Sequence, residues 1–170
     1  MLSLLLAFLC LLPISTVAQS ITFKQSLARE LSDDNTILAF YKERRFKSLW
    51  MGSSANERER LSVLIMAFSQ AEMHGLPAKL FSGTDLQRKI RQARTEKKRG
   101  AIEAQLTLQF LKYVSVVQSG ILVPSEVDKE IVRKVPRPNF KAILSKLTQR
   151  NPRAYFKALL PKSSEYTQLV

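Results

Sequence analysis

An all-α fold is what this chain predicts, as a single compact multi-helix domain after an N-terminal signal peptide. Two observations carry the prediction. Apolar residues recur at helical spacing almost throughout, and no stretch alternates strictly enough to make a strand. Start and stop signals, small polar residues before the apolar stripes and Gly or Pro after them, recur along the 170 residues, which contain only five Gly and seven Pro.

The elements follow in order. Met1 to Phe23 carries no charged side chain, and Leu2 to Leu12 is almost purely apolar before Pro13 and the small-residue run Ile14 to Ser20. That is the pattern of a signal peptide over residues 1–18, with Thr16-Val17-Ala18 as the small-x-small cleavage site and Ser20 as a second choice. The usual Lys or Arg is missing from its start, so a misplaced start codon and an uncleaved inner-membrane anchor also fit. Residues 19–34 form a lead segment, and 35–170 the helical domain. Ser32-Asp33-Asp34-Asn35 offers caps for a helix through Ile37, Phe40 and Tyr41 that ends near Phe46 to Trp50. Ser54-Ala55-Asn56-Glu57 fits a capping box, with Leu61, Leu64, Ile65 and Phe68 as the core stripe and Gly75 as the stop. Thr84-Asp85-Leu86-Gln87 opens a helix carrying Leu86, Ile90 and Ala93 into the basic run Arg94 to Arg99. A longer helix from about Ala101 to Ser119 places Ile102, Leu106, Phe110, Tyr113 and Val117 on one stripe, with Gly120 as its C-cap.

Pro124, Pro136 and Pro138 fence off Glu126 to Val135, a brief helix or irregular segment. Asn139 caps an amphipathic helix with Phe140, Ile143, Leu144 and Leu147 on one face. Asn151-Pro152 starts the next, which Pro161 breaks before a final turn opened by Ser163. Neither an internal repeat nor a linker divides the domain.

Composition limits the chemistry. The only cysteine, Cys10, lies in the apolar signal segment, and Leu9 before it does not suit lipid attachment. After processing, no thiol remains for a disulfide, a metal or a nucleophile. The single histidine, His74, sits before Gly75, where an imidazole suits a helix C-terminus. No catalytic, cofactor-binding or metal residues are expected. The net charge of +13 invites an anionic partner. Arg94, Lys97, Lys98 and Arg99 are the candidate contacts, with a merely solvated face as the plainer reading. Peptidoglycan, a wall polymer or a membrane surface would supply the anion; no nucleic acid is expected, because export removes that partner and no nucleic-acid motif accompanies the charge. Tyr41 and Trp50 could stack on a glycan, although their apolar neighbours favour core anchoring.

Four blocks together resemble a known family. Phe40-Tyr41-Lys42-Glu43-Arg44-Arg45-Phe46-Lys47-Ser48-Leu49-Trp50 resembles the opening of the scaffold domain of large Gram-negative L,D-transpeptidases. Ala71-Glu72-Met73-His74-Gly75-Leu76, with Phe81 after it, resembles that family's "A-x-x-HGL" helix end. Leu106-Thr107-Leu108-Gln109-Phe110-Leu111-Lys112-Tyr113, then Gly120 and Pro124, resembles its "LT-x-x-FLRY" helix. Leu159-Leu160-Pro161 and Tyr166 to Leu169 resemble its close. The likeness spans Ile37 to Val170. Leu108 stands where an acid is frequent in the family, and Ile121 and Val123 where Arg and Asp are.

The resemblance implies the non-catalytic scaffold portion of a periplasmic peptidoglycan cross-linking enzyme, partnered by peptidoglycan or by an L,D-transpeptidase catalytic domain. The family's "HG-x-x … S-x-GC-x-R" catalytic pattern, with its cysteine nucleophile, is absent from the sequence. The chain ends where that scaffold passes into the peptidoglycan-binding and catalytic portions, as a fragment, a truncated product or a free-standing scaffold would. The alternative is a free-standing basic helical envelope protein that binds anionic wall or membrane components, with peripheral membrane contact.

Overall fold

A computed structural model describes residues 15–119 and 138–160. The expectations for residues 1–14, the Gly120 cap, Ile121 and Val123, the proline-fenced segment Glu126 to Val135, and everything from Pro161 onward lie outside the described residues. Within them are seven α-helices, one 3-10 turn and no strand: α1 (Ser15–Glu30), α2 (Asn35–Glu43), α3 (Ala55–Ser69), the 3-10 turn Ala71–His74, α4 (Gly83–Gln92), α5 (Glu96–Ser119), α6 (Phe140–Gln149) and α7 (Pro152–Leu159). Among the described residues, no helix is long and apolar enough to cross a membrane.

Local chemistry sets most helix starts. Asp34 accepts hydrogen bonds from the Thr36 and Ile37 amides at 3.0 Å each, satisfying donors that have no partner inside α2. Ser54 and Glu57 form the reciprocal capping box of α3. Asn139 and Asn151 cap α6 and α7 through the Ala142 and Ala154 amides. Gly75 takes φ +71°, the left-handed conformation that ends the 3-10 turn and that a side chain would strain.

Several expectations need correction: α2 ends at Glu43, short of the expected Phe46 to Trp50, where Arg45 and Phe46 turn left-handed, and α5 starts at Glu96 rather than near Ala101. α4 is capped by Ser82 and begins at Gly83, ahead of the expected Thr84, because the Ser82 hydroxyl reaches the Asp85 amide at 3.3 Å. The basic run does not continue one helix: α4 ends at Gln92, and Thr95 accepts from the Lys98 amide to start α5. On α3 the buried face carries Val63, Leu64, Ala67 and Phe68, whereas Leu61 and Ile65 are only partly buried against the core. The helix is apolar over more than one face, so apolar spacing alone did not fix its rotation.

α5 is the central post. α1, whose turns pass through the expected cleavage junction after Ala18, lies along one side of it. Gly100 permits that approach: a Cβ there would meet the Phe23 carbonyl oxygen at 2.4 Å and the Leu27 amide at 3.1 Å. Ser26 adds a hydrogen bond from its hydroxyl to the Lys97 carbonyl at 2.7 Å. On the other sides α4 and α7 pack against both α3 and α5, while α6 bridges α2 and α7. Leu64, Phe68, Phe110, Tyr113, Leu144 and Leu147 share one buried core, with Leu61, Ile65, Phe140 and Ile143 at its margin. Aromatic contacts run through it, Trp50 to Phe110 at 5.4 Å and Phe110 to Phe156 at 5.5 Å between ring centroids.

Candidate functional site

The most elaborate polar arrangement is inside the protein. Glu103, on the buried face of α5, is 0% exposed, and a buried carboxylate persists only when its oxygens are well bonded. Residues 48–51 wrap around it. Its Oε1 accepts from the Tyr41 hydroxyl at 2.8 Å and the Leu49 amide at 2.5 Å. Its Oε2 accepts from the Ser48 hydroxyl at 2.7 Å and the Met51 amide at 2.9 Å. The Trp50 amide lies between, 3.2 Å from Oε2 and 3.4 Å from Oε1. One turn along α5, the Thr107 hydroxyl lies 2.7 Å from the Tyr41 oxygen and accepts from the Trp50 indole at 2.9 Å.

Charge near this lock is arranged from α3. Arg60, also buried, donates from Nε to the Leu49 carbonyl at 2.9 Å. Burial holds its guanidinium below the usual range despite the opposing pull of Glu57, with Arg44 adding to the depression and Glu103 opposing it. Burial, and then the Glu103 charge, keep the Tyr41 phenol protonated well above its ordinary range. For Glu57 burial pushes upward, but the hydroxyl and amide of Ser54 together with the charges of Arg60 and Lys47 outweigh it and lower the carboxyl below its usual value. The chain reaches this loop through Arg45 and Phe46, whose φ angles of 54° and 59° are left-handed. That conformation is sparsely populated by bulky residues, and the lock on Glu103 holds the loop that follows it.

The predicted residues divide between interior and surface. Tyr41 and Trp50 are 0% and 1% exposed, which leaves neither ring face open to a sugar in this conformation. Arg94, Lys97 and Lys98 are exposed near the α4–α5 junction, with no carboxylate in ion-pair range among the described residues. Arg99 is tied inward. It pairs with Glu96 at 3.3 Å and donates to the Met51 carbonyl, so it steadies the loop around Glu103. His74 ends the 3-10 turn as expected of a terminus residue. It also lines an apolar groove of about 260 Å³ with Met66, Tyr113, Arg153 and Phe156.

The lock joins residues of two of the sequence blocks, and the comparisons bear on the same stretch. A protein family described as the scaffold domain matches residues 35–170. The chain belongs to the scaffold-domain family. No curated protein and no solved structure matches it. In this scaffold domain, Tyr41, Trp50, Thr107 and Phe110 of the matching blocks are structural, since each contributes to one buried contact set. Glu103, Arg60 and Gly100 escaped the sequence reading. The available signal was helical position: Glu103 lies one turn before Thr107 and two before Phe110, on the stripe that the apolar residues mark as buried.

Proposed function

We propose that this scaffold domain is the non-catalytic scaffold portion of a periplasmic peptidoglycan L,D-transpeptidase, a rigid body that positions the catalytic portion or its substrate. The observation that carries the reading is the Glu103 lock. Tyr41, Trp50 and Thr107, drawn from two blocks that resemble the transpeptidase scaffold, bond to one another and to a buried carboxylate rather than open a pocket. Polar groups satisfied in this way specify one arrangement of the chain, which is what a positioning body requires. Cysteine usage agrees: the sole cysteine is Cys10, so residues 11–170 lack the thiol on which the family's chemistry depends.

The test is pairing in trans. The full chain is co-expressed in the periplasm with an L,D-transpeptidase catalytic portion stripped of its own scaffold, and the muropeptides are analysed. Co-purification and a rise in L,D-transpeptidase cross-links are expected; separate elution with unchanged cross-links would overturn the reading. The chain alone should leave a tetrapeptide donor intact, and turnover surviving thiol alkylation would show that it is itself an enzyme. The exposed cations at the α4–α5 junction favour a second reading, a free-standing basic envelope protein. In that case the chain would sediment with isolated sacculi at low salt without any catalytic partner.

A further inference from the structure

One stripe of α5 borders a surface cleft shared with α4. Lys98, Ala101, Ile102 and Gln105 recur at helical spacing and line a cleft of about 320 Å³ with Lys89 and Gln92 of α4 and Ala93 just after it. The break between α4 and α5 at Ala93 to Thr95 creates the cleft, because one continuous helix would have only one wall here. Its floor is apolar and its rim carries two ammonium groups and two side-chain amides. Acids of the same two helices are engaged elsewhere: Asp85 pairs with Arg88 at 2.6 Å, Glu96 with Arg99 at 3.3 Å, and Glu103 accepts its bonds inside the core. Lys89 and Lys98 form no ion pair among the described residues, and Arg91, Arg94 and Lys97 add unpaired positive charge around them.

We propose that this cleft binds a short, carboxylate-bearing peptide, with Lys89 and Lys98 pairing its carboxylates and Gln92 and Gln105 its backbone amides. The chemistry selects the ligand class. An amide side chain both donates and accepts, which matches a peptide bond, whereas the phosphodiester of a lipid headgroup offers only acceptors. The Ala93, Ala101 and Ile102 floor suits methyl-sized side chains. The volume lies at the lower end of the roughly 300–1,000 Å³ typical of small-molecule sites, so it holds a few small residues and not a folded partner. Exposed ammonium–carboxylate pairs are worth little each, so affinity is weak, with Kd on the order of 0.1–1 mM. The identity of the peptide as a peptidoglycan stem rests on the scaffold reading above; the cleft chemistry does not.

The experiment is an amide-resolved NMR titration of the full chain with the free stem tetrapeptide, with the same peptide amidated at its carboxylates, with inorganic phosphate and with phosphatidylglycerol vesicles. Shifts confined to residues 89–105 are expected with the tetrapeptide, much weakened by amidation. The double variant Lys89→Gln/Lys98→Gln should raise Kd roughly tenfold. Ala101→Leu, which fills the floor without changing charge, should do likewise. Gln105→Ala provides a second uncharged variant should Ala101→Leu alter the melting temperature. The remote pair Lys112→Gln/Lys146→Gln should leave Kd unchanged. Equal weakening by the remote pair, or indifference to both uncharged variants, would overturn the cleft in favour of diffuse surface attraction. Binding to vesicles or phosphate with none to the peptide would overturn it too. A chain that pairs with the catalytic portion but does not bind the tetrapeptide would refute the cleft and leave the scaffold reading standing.

Discussion

Replacing Glu103 by Gln tests the lock with the smallest change in shape. The carboxylate accepts from three backbone amides and two hydroxyls, with the Leu49 amide on Oε1 and the Met51 amide on Oε2. A carboxamide has one accepting oxygen, so in either orientation its NH2 group faces the amide N–H of Leu49 or of Met51. That buried donor loses its acceptor, at about 1–3 kcal/mol. The bonds that remain change from charge-assisted to neutral, for about 1 kcal/mol more. A destabilisation of about 2–4 kcal/mol follows, a sizeable share of the roughly 5–15 kcal/mol typical of a domain. For a chain of this length each kcal/mol lowers Tm by about 2–4 °C. Trp50 is the only tryptophan, is 1% exposed and donates to Thr107 inside the lock, so its fluorescence during urea unfolding reads the transition at the site itself. The exposed change Lys112→Gln should stay within about 0.5 kcal/mol. A Glu103→Gln loss no larger than that control would refute the claim that the carboxylate organises residues 48–51.

Gly100→Ala should cost about 1–3 kcal/mol through overpacking, since the new methyl meets backbone of α1, and hydrogen exchange should show lost protection over residues 23–31. For Tyr41 the folded state holds the phenol proton more tightly than the unfolded chain, so its contribution is complete below about pH 10 and is lost as pH rises toward the higher folded value. Urea midpoints from pH 8 to 11 should therefore fall less steeply in Tyr41→Phe than in the parent chain, and parallel declines would contradict the assignment.

The helix starts were legible because they are local. Asp34, Ser54 with Glu57, Asn139 and Asn151 each cap a helix through an amide two or three residues away, and the chemistry is written in adjacent letters. The all-α class followed from the same periodicity. The division between α4 and α5 was legible but its position was not, because residues 92–96 contain neither Gly nor Pro and the break depends on Thr95 capping and on packing. Nor was α1, whose small and apolar beginning reads equally well as a processing signal. The place of Glu103 on the buried stripe was legible but its partners were not: the donors that make it central lie 52 to 62 positions earlier in the chain. Burial of Tyr41 and Trp50 could be weighed from their apolar neighbours, but not their shared partner Thr107.

Those separations have a consequence for the order of events during synthesis. Every donor to the Glu103 carboxylate lies on its N-terminal side, and α1 too closes onto α5, with Ser26 bonded to a carbonyl 71 residues later. At about 5–20 residues per second, a ribosome takes several seconds to travel from the Ser48 loop to Glu103. Until α5 emerges, the first three helices have neither their central post nor the acceptor for residues 48–51. The nascent chain therefore lacks a finished core until well past its midpoint, and contacts so distant in sequence also slow the final closure. Under the export that the proposed function entails, this delay would keep the polypeptide threadable while it is still being made.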